Sequence, residues 1–261
     1  MWNAFVGLNI NILLFIYQLV GNFGVAIILF TLFIRLLTYP LTASQLKGTA
    51  AMQSLQQDKR YLDMQAKYKN DKEKLQQEQL KLYKELGINP FASCLPTLIQ
   101  FPIIIALYQA VIQSLATTPL ELLNFTRHAY AGVIDVGKII PLNSTFLWMD
   151  LGQPERLVLS FLPFGIPVLA IVVMASTYVQ SKIMQPPSTG DGKDTTAMAT
   201  NMMNIYMPFL MGYLALTLNA GLGLYFLASN LIGILQYALL GKVNWSNLIP
   251  GRKPAVSGSK K

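Results

Sequence analysis

The amino-acid sequence predicts an all-α integral membrane protein with five transmembrane helices, a cytoplasmic antiparallel helical hairpin and an N-terminal interfacial helix. Only 12% of its 261 residues are charged and 53% are hydrophobic, whereas a soluble domain carries about 25% charged residues. Four stretches, 22–41, 91–115, 157–180 and 204–241, contain no acidic residue. Between the first two lies a segment rich in Gln, Lys, Glu and Leu, residue types that favour helices.

The four apolar stretches account for five spans. The first three each have the length of one bilayer crossing, about 20 residues. The fourth, 204–241, is nearly twice as long, and its middle reads Asn-Ala-Gly-Leu-Gly over 219–223. Asn and Gly favour the positive φ angles of tight turns. We therefore predict a fourth span over 204–218, an external turn over 219–223 and a fifth span over 224–241.

The distribution of basic residues predicts the orientation of the chain. The loops 42–90 and 181–203 and the tail 242–261 hold nine, two and five Lys and Arg residues, respectively. By contrast, the segment 1–21 holds none and the loop 116–156 holds three. Because basic residues concentrate on the cytoplasmic side, the N-terminus is expected outside and the C-terminus in the cytosol. The same bias accounts for the formal net charge of +8.

The segment 1–21 is predicted to be an external amphipathic helix. Its apolar run, 12–20, is too short to cross a bilayer, and the segment lacks the basic start of a secretory signal peptide. Its polar side chains fall near one helical stripe, opposite a set of large apolar residues. The polar set is Asn3, Asn11, Gln18 and Asn22, and the apolar set is Trp2, Phe5, Leu13 and Ile16. Such a helix would lie in the outer membrane interface.

The segment 42–90 is predicted to form two antiparallel helices in the cytosol, because both of its ends must return to the same membrane face. Asp71 is suited to cap the second helix, and Gly87 is suited to end it. Apolar residues recur at helical spacing on each helix. They are Met52, Leu55 and Leu62 on the first and Leu75, Leu82 and Leu86 on the second. The hairpin is either a solvated connector or a docking element for a cytosolic partner.

One arginine, Arg35, lies inside the first span. An arginine in the middle of a bilayer costs about 2.5–3.5 kcal/mol on insertion scales. No Asp or Glu occurs in any predicted span, so the charge must be solvated by water, lipid phosphate or neutral dipoles. Snorkelling of the side chain to the cytoplasmic interface is one way to achieve this.

Polar neighbours offer a second way to solvate Arg35. Thr31 lies one helical turn before it, and the other spans carry amides. These amides are Gln100, Gln109, Gln113, Gln180, Asn230 and Gln236. A water-filled cavity between helices would solvate all of these groups together. For any single amide, an ordinary interhelical hydrogen bond is the alternative.

The residues present exclude several classes of chemistry. His128 is the only histidine and lies in the external loop, and no phosphate-binding G-x-x-x-x-G-K-[ST] motif occurs. Hence neither a histidine-activated nucleophile within the spans nor a nucleotide-binding P-loop is expected. The lone cysteine, Cys94, rules out an internal disulfide and a multi-cysteine zinc site. The sequence therefore predicts no enzyme, no metal site and no cofactor.

Four segments carry a resemblance to a known family. They are LFTLFIRLLTYPLT (29–42), KYKNDKEKLQQEQLKLYKELGINP (67–90), CLPTLIQFPIIIALY (94–108) and AGLGLYFLASNLIGILQ (220–236). In this order, they resemble the arginine-bearing span, the cytoplasmic hairpin, the second core span and the last span of the YidC/Oxa/Alb membrane protein insertases. The resemblance covers roughly residues 22–241.

The resemblance implies a membrane protein insertase and chaperone in a bacterial cytoplasmic (inner) membrane or a thylakoid-type membrane. A hydrophilic groove open to the cytosol and to lipid would receive the polar segment of a nascent membrane protein. The substrate's apolar helix would leave along the third and fifth spans. Arg35 would be the groove cation, and the candidate lining residues are Thr31, Gln100, Asn230 and Gln236.

Nascent membrane proteins and membrane lipids are the expected partners, and DNA is not. The basic tail is expected to contact anionic lipid or the ribosome. Its basic residues are Lys242, Arg252, Lys253, Lys260 and Lys261. A Sec translocation channel is a further candidate partner. Two other functions stay open at this point, a small cation-lined channel or transporter and a structural scaffold for other membrane subunits.

Overall fold

A computed structural model of the chain describes residues 2–40, 42–43, 55, 58–68, 71–87, 102–106, 108–109, 111–112, 142–157, 165–184 and 195–239. The chain divides into two units, one made of Met1–Leu36 with Ile103–Lys261 and the other of Leu37–Pro102. The elements with described bounds are α1 (Trp2–Val20), α2 (Phe23–Leu37), α3 (Lys59–Lys67), α4 (Lys72–Glu85), β1 (Thr145–Phe146), β2 (Met149–Asp150), α5 (Val168–Met184), α6 (Thr195–Thr217) and α7 (Ala220–Leu239).

The first unit is mostly helical, and its helices share one apolar core. Helix α5 packs against both α6 and α7, and α1 and α2 contribute large side chains to the same buried cluster. The largest fully buried side chains of this core are Tyr225, Phe23, Phe30, Ile10, Leu13, Leu14, Ile27, Leu151 and Leu222. The core therefore holds α2, α5 and α7 close enough for their polar residues to meet.

Helix α1 buries one residue of the polar stripe predicted for 1–21, whereas Gln18 of that stripe is exposed. Asn11 is only 6% exposed, and its Nδ2 donates a 2.6 Å hydrogen bond to the carbonyl oxygen of Gly7. By contrast, Phe15 and Leu19 are exposed. A short Asn side chain that bonds to a carbonyl one turn earlier hides its own polar group. The buried face of α1 can therefore include an asparagine, and the predicted placement of Asn11 on a water-facing stripe is wrong.

The third span, predicted over 157–180, corresponds to a helix that begins later. Helix α5 starts at Val168, directly after Pro167. Leu157 and Ile166 form an extended pair instead, in which each N–H donates to the other's carbonyl at 2.9 Å. Proline favours a helix start because its φ angle is fixed and it has no N–H to leave unpaired.

The loop predicted over 181–203 is shorter than expected at both ends. Helix α5 continues to Met184 and α6 begins at Thr195. Hydropathy marks where apolar residues stop, but a helix continues into polar sequence wherever its backbone hydrogen bonds remain satisfied. Both helices therefore extend beyond the predicted apolar stretches.

The external turn predicted over 219–223 is wrong in extent. Only Leu218 and Asn219 separate α6 from α7. The Asn219 Oδ1 atom accepts a 3.2 Å hydrogen bond from the N–H of Leu222, as an N-capping residue does. Gly221 lies in the first turn of α7, where a Cβ would lie 2.9 Å from a valine side chain. This glycine therefore serves close packing and not a positive φ angle.

The loop predicted over 116–156 contains a short β-hairpin, which is an exception to the predicted all-α fold. Strands β1 and β2 pair in antiparallel fashion, with Thr145 opposite Asp150 and Phe146 opposite Met149. Leu147, in the connecting turn, has a φ angle of 55°. Strands of two residues are too short to show the alternation that identifies a strand in a sequence.

Helix length and composition identify one candidate membrane span among the described residues. This span is α7, and the apolar segments of the other helices are shorter. The shorter ones cover Ala4–Val20, Phe23–Leu37, Val168–Ile183 and Ile205–Thr217. In the second predicted span, 91–115, the described residues 102–106, 108–109 and 111–112 are helical. The count of five spans stays a prediction.

In the second unit, aspartates cap both helices. The Asp58 Oδ1 atom accepts a 2.9 Å hydrogen bond from the N–H of Arg60 at the start of α3. The Asp71 Oδ1 atom accepts a 3.1 Å hydrogen bond from the N–H of Lys74 at the start of α4, which confirms the predicted cap. These backbone hydrogen bonds hold the pKa of Asp58 and the pKa of Asp71 below the ordinary value of an aspartate.

A small core joins α3 and α4. Leu55, Tyr61 and Leu82 are buried together. The Gln79 Nε2 atom donates hydrogen bonds to Tyr61 Oη at 3.0 Å and to Tyr83 Oη at 2.6 Å. A residue of the first helix thus pairs with one near the middle of the second. The antiparallel hairpin arrangement itself stays a prediction.

The sequence predicted part of this hairpin core. Gly87 has a φ angle of 63°, which confirms it as the residue that ends α4. Leu62 and Leu86, predicted on the apolar faces, are exposed, whereas Tyr61 is buried. Met52 lies outside the described residues.

Candidate functional site

The arginine of the first predicted span meets α7. Arg35 is half-buried on α2, and its Nη2 atom donates a hydrogen bond to Ser229 Oγ. The carbonyl oxygen of Arg35 accepts a 3.2 Å hydrogen bond from Gln236 Nε2. Ser229 and Gln236 are seven residues apart on α7, so they lie on the same face. A guanidinium, a hydroxyl and an amide therefore join α2 to α7.

Gly233 leaves space on α7 for the side chains that approach it from α2 and α5. A Cβ at this position would lie 2.6 Å from Gln180 Nε2 and 3.7 Å from Arg35 Nη2. The first distance is shorter than a carbon atom tolerates, so the glycine lets Gln180 of α5 reach the surface of α7. We refer to Arg35, Gln180, Ser229 and Gln236 as the polar cluster.

One atom of the polar cluster is buried without a hydrogen bond. Gln236 is 7% exposed, and its Oε1 atom accepts no hydrogen bond from the residues that the structure describes. A buried acceptor left in this state costs about 1–3 kcal/mol. The cluster therefore offers an acceptor at Gln236 to an incoming donor, and the guanidinium of Arg35, which bonds to Ser229, supplies donors.

Asn230, a predicted lining residue, ties two helices together. Its Nδ2 atom donates to Ser176 Oγ at 3.0 Å and to Thr177 Oγ1 at 2.8 Å, both on α5. The two hydroxyl groups in turn donate to the carbonyl oxygen of Val173. These donors are used within the bundle, so the Nδ2 group of Asn230 makes the interhelical bond that the sequence left open as an alternative.

Thr31 is also satisfied within the protein. It is 1% exposed, and its Oγ1 atom donates a 2.6 Å hydrogen bond to the carbonyl oxygen of Ile27. Thr31 therefore sits beside the polar cluster with its hydroxyl proton already used. Among the predicted lining residues that the structure describes, Gln236 is the one with a buried oxygen that accepts no hydrogen bond.

Sequence reasoning missed two members of the site. Ser229 and Gly233 are small residues in an apolar helix, and their residue types alone do not indicate a functional role. Their spacing was the available signal, because Ser229, Gly233 and Gln236 follow one another at the i, i+4, i+7 positions of one helical face.

An apolar cavity of about 350 Å³ lies beside the same helices. All of its lining residues are apolar, and they come from α2, the β-hairpin, α5 and α7. They are Ile28, Phe146, Leu147, Trp148, Met149, Val168, Leu169, Val172, Leu224, Leu227, Ala228, Leu231 and Ile232. Such a lining excludes water and accepts hydrocarbon.

On α2 and α5 the cavity and the polar cluster lie toward opposite ends, whereas on α7 they overlap in level, because Leu231 and Ile232 line the cavity beyond Ser229. On α5 the cavity is lined by residues of the first two turns, whereas Gln180 lies near the other end. Leu169 and Gln180 are eleven residues apart on this helix, or about 16 Å at helical rise. On α2, similarly, Ile28 lines the cavity and Arg35 lies in the last turn. Along α2 and α5, the apolar cavity is thus separated from the polar cluster.

Several predicted residues lie outside the described part of the chain. They are Gln100 and the five basic residues of the tail, Lys242, Arg252, Lys253, Lys260 and Lys261. Among the described residues, no group of three His, Cys, Asp or Glu side chains is placed to hold a metal ion.

Comparison with known proteins relates the whole arrangement to one family. Residues 15–246 match the family model described as 60Kd inner membrane protein. The membrane protein insertase YidC of Clostridium tetani is 34% identical over 246 residues, which cover 92% of this chain and 93% of that protein. The chloroplastic inner membrane protein ALBINO3 of Arabidopsis thaliana is 33% identical over 243 residues, or 85% of this chain and 47% of that protein.

A solved structure agrees with these sequence matches. The crystal structure of an active YidC insertase with its first transmembrane domain resolved is similar, with a TM-score of 0.52 and 28% sequence identity. The match covers 85% of this chain and 43% of that one.

Proposed function

The chain belongs to the YidC/Oxa/Alb family of membrane protein insertases, and we propose that it inserts integral membrane proteins through a groove whose polar end is the polar cluster. A short polar segment of the substrate enters at Arg35, while the substrate's apolar helix contacts the apolar ends of α5 and α7. The polar segment is thereby spared a crossing of about 30 Å of hydrocarbon. The resemblance noted in the sequence and the relatives found by comparison support the same function.

The observation that carries this proposal is the open acceptor of Gln236, which belongs to the same polar cluster as the guanidinium of Arg35. Every peptide unit of a substrate brings one N–H donor and one carbonyl acceptor. Gln236 Oε1 can accept from the N–H, and Arg35 can donate to the carbonyl. Backbone that has not yet become helical is costly to expose to lipid, so a pair of this kind lowers the cost of holding an extended segment.

The charge of Arg35 adds a preference for acidic segments. At an effective dielectric constant of about 20, a carboxylate about 4 Å away gains about 4 kcal/mol of Coulomb energy. Desolvation of both ions removes much of this gain. A net effect of about 1.4 kcal/mol still changes binding tenfold. Helices α2, α5, α6 and α7 contain no Asp or Glu, so the carboxylate would come from outside these helices.

The orientation proposed for the groove combines structure and charge. The segment 142–157 is hydrogen-bonded to the first turns of α2, α5 and α7. These three helices therefore all begin at the end of the bundle where this segment lies. The distribution of basic residues puts this segment outside the cell or in the equivalent compartment. The polar cluster then lies toward the cytosol, with the N-terminus outside and the C-terminus inside.

A cation-lined channel fits the same residues less well. A channel needs a continuous polar path, whereas the cavity beside α5 and α7 has only apolar lining residues. We therefore propose nascent membrane proteins as the partners of the groove, with lipid, the ribosome and the Sec channel as further partners of the whole protein. The membrane is a bacterial cytoplasmic membrane or a thylakoid-type membrane.

The proposal is tested with the full chain in liposomes and a small single-span substrate whose external tail is either acidic or neutral. Wild-type protein should insert both substrates. Arg35→Ala should lower insertion of the acidic-tailed substrate about tenfold, which corresponds to about 1.4 kcal/mol, and that of the neutral-tailed substrate less. Arg35→Lys should keep much of the activity, and Arg35→Glu should be the least active.

Lys182→Ala is the matched control, because it removes one positive charge from the last turn of α5, where the ammonium lies 5.7 Å from the centre of the Tyr178 ring. This variant should insert both substrates at nearly the wild-type rate. Equal insertion of the acidic-tailed substrate by Arg35→Ala and wild type would contradict the role of Arg35. Liposomes in which the wild type inserts neither substrate would contradict the insertase function.

A further inference from the structure

The segment 142–157 closes one end of the helical bundle. The first N–H groups of a helix have no partner inside the helix, and here this segment supplies several of the partners. The carbonyl oxygens of Gln153 and Leu151 accept from the N–H groups of Ala220 at 2.8 Å and Gly221 at 3.0 Å. The carbonyl oxygen of Asn143 accepts from the N–H of Phe23 at 3.4 Å. The segment therefore caps α7 and α2 by its backbone alone.

Helix α5 is capped by a side chain. Glu155 is only 4% exposed. Its Oε2 atom accepts a 2.9 Å hydrogen bond from the N–H of Leu169 in the first turn of α5. Its Oε1 atom accepts a 2.8 Å hydrogen bond from Trp148 Nε1. A carboxylate at a helix N-terminus is favoured by the helix dipole, and burial of this one is tolerable because both oxygens have donors.

Glu155 thereby fixes the β-hairpin to α5. Trp148 is one of the two residues in the turn between β1 and β2, and it forms part of the cavity wall with Phe146 and Met149. The hairpin is also seated against α2, because Gly24 leaves no room for a Cβ beside the Phe146 ring. Glu155 is the one charged side chain that links this wall to a helix within the described segment 142–157.

We propose that Glu155 is a positioning residue that latches the β-hairpin over the outer end of the apolar cavity and keeps the substrate path closed to the outside. It acts through Trp148 and the first turn of α5 and does not touch the substrate. The outer assignment of this end rests on the proposed function. An insertase needs such closure, because a wet groove that opened at both ends would let water and ions across the membrane.

The chemistry of the latch makes Glu155→Gln a sharp test. Both carboxylate oxygens accept hydrogen bonds, whereas an amide has one acceptor oxygen and one NH₂ donor. The NH₂ group of Gln would face either the indole N–H or the N–H of Leu169, so one contact must be lost. The side chain keeps almost the same size, so packing is preserved.

The experiment measures access from one side of the membrane at a time. A reporter cysteine replaces Ala228, which is buried and lines the cavity, in a Cys94→Ser background that removes the only native cysteine. The rate of modification by a membrane-impermeant thiol reagent is measured from the outer side and from the cytosolic side, without substrate. Glu155→Gln should raise the outer rate about tenfold, corresponding to about 1.4 kcal/mol, and leave the cytosolic rate unchanged.

Asp150→Asn is the matched control. Asp150 lies in the same segment, is exposed and accepts only from the nearby N–H of Gly152 at 3.0 Å, so its variant should keep the wild-type outer rate. Trp148→Phe removes one of the two donors and keeps an aromatic ring, so it should raise the outer rate too. If Glu155→Gln does not accumulate, Trp148→Phe decides the outcome.

Three results would overturn the latch. The first is an unchanged outer rate in both Glu155→Gln and Trp148→Phe. The second is an equal rise of the outer rate in Asp150→Asn. The third is a rise of the outer and the cytosolic rates together, as general loosening of the protein would cause. Because no substrate is present, the latch can be supported or overturned whether or not the protein inserts anything. A protein that lacks insertion activity but shows the one-sided rise would refute the proposed function alone.

Discussion

The amides of Asn230 and Gln236 differ in whether a buried polar atom lacks a hydrogen bond, and this difference distinguishes a candidate binding residue from a packing residue. Asn230 and Gln236 are amides on the same helix, and sequence reasoning treated them alike. The amide of Asn230 holds α5 and α7 together, whereas Gln236 keeps a buried oxygen without a donor among the described residues. Stability and function should therefore respond differently when each side chain is replaced by leucine.

Gln236→Leu should change stability by no more than about 1 kcal/mol, because loss of the hydrogen bond to Arg35 is offset by removal of a buried unsatisfied oxygen. Insertion should nevertheless fall several-fold, since the acceptor offered to the substrate is gone. Asn230→Leu, the comparison variant, should lower the thermal unfolding temperature, because it removes two satisfied hydrogen bonds. Unfolding in detergent and insertion in liposomes measure the two effects. Insertion at the wild-type rate by Gln236→Leu would contradict a role for the Gln236 Oε1 atom in substrate binding.

At this scale the sequence predicted the residues that are chemically conspicuous. Arg35 and Gln236 stand out because charge and amides are expensive in an apolar span. Ser229 and Gly233 do not, because small residues are common in membrane helices for packing reasons alone. Their role becomes visible only when the neighbours that approach them, Gln180 and Arg35, are known.

At the scale of elements, apolarity located the helices better than it located their ends. Pro167 and Asn219 determine where α5 and α7 begin, and both act through the backbone rather than through hydropathy. The β-hairpin was missed for a related reason, since its strands have two residues each. In contrast, Asp71 and Gly87 were predicted correctly because polar sequence surrounds them and capping is a local property.

The capping aspartates make the hairpin α3–α4 sensitive to acid. The backbone N–H of Lys74 lowers the pKa of Asp71 below its ordinary value of 3.8. A carboxylate with a depressed pKa in the folded state contributes stability that is present above the unfolded pKa. This stability is lost as the pH falls through the folded pKa. Protection of the Lys74 amide against hydrogen exchange, relative to its intrinsic rate, should therefore hold at pH 5 and decrease below about pH 4.

Asp71→Asn supplies the comparison for this measurement. Asparagine is also a good N-cap, but it does not titrate, so protection of the Lys74 amide should become independent of pH in this range. An identical acid response in Asp71→Asn and wild type would show that another group controls the start of α4.

At the scale of the whole molecule, polarity changes along the helices and not only across them. One face of α5 carries Val172, Ser176 and Gln180 at intervals of one turn. Val172 lines the apolar cavity, Ser176 joins the hydrogen bonds of Asn230, and Gln180 belongs to the polar cluster. The sequence contained the amide and the apolar residues, but their separation along α2 and α5 follows from how these helices align with α7.

This gradient predicts how far water enters the bundle from the cytosol. In a Cys94→Ser background, single cysteines at positions 180, 176 and 172 should react with a membrane-impermeant thiol reagent, added from the cytosolic side, at rates that fall in that order. Each step away from the polar cluster leaves fewer groups able to hydrate the thiolate, which is the reactive form. Ala175→Cys is the control, because Ala175 lies at the depth of Ser176 on the exposed surface of α5, where lipid should keep the thiol protonated and unreactive. Equal rates at positions 172, 176 and 180 would mean that water reaches all three positions equally. The proposed decrease in hydration from Gln180 to Val172 would then be wrong for this protein.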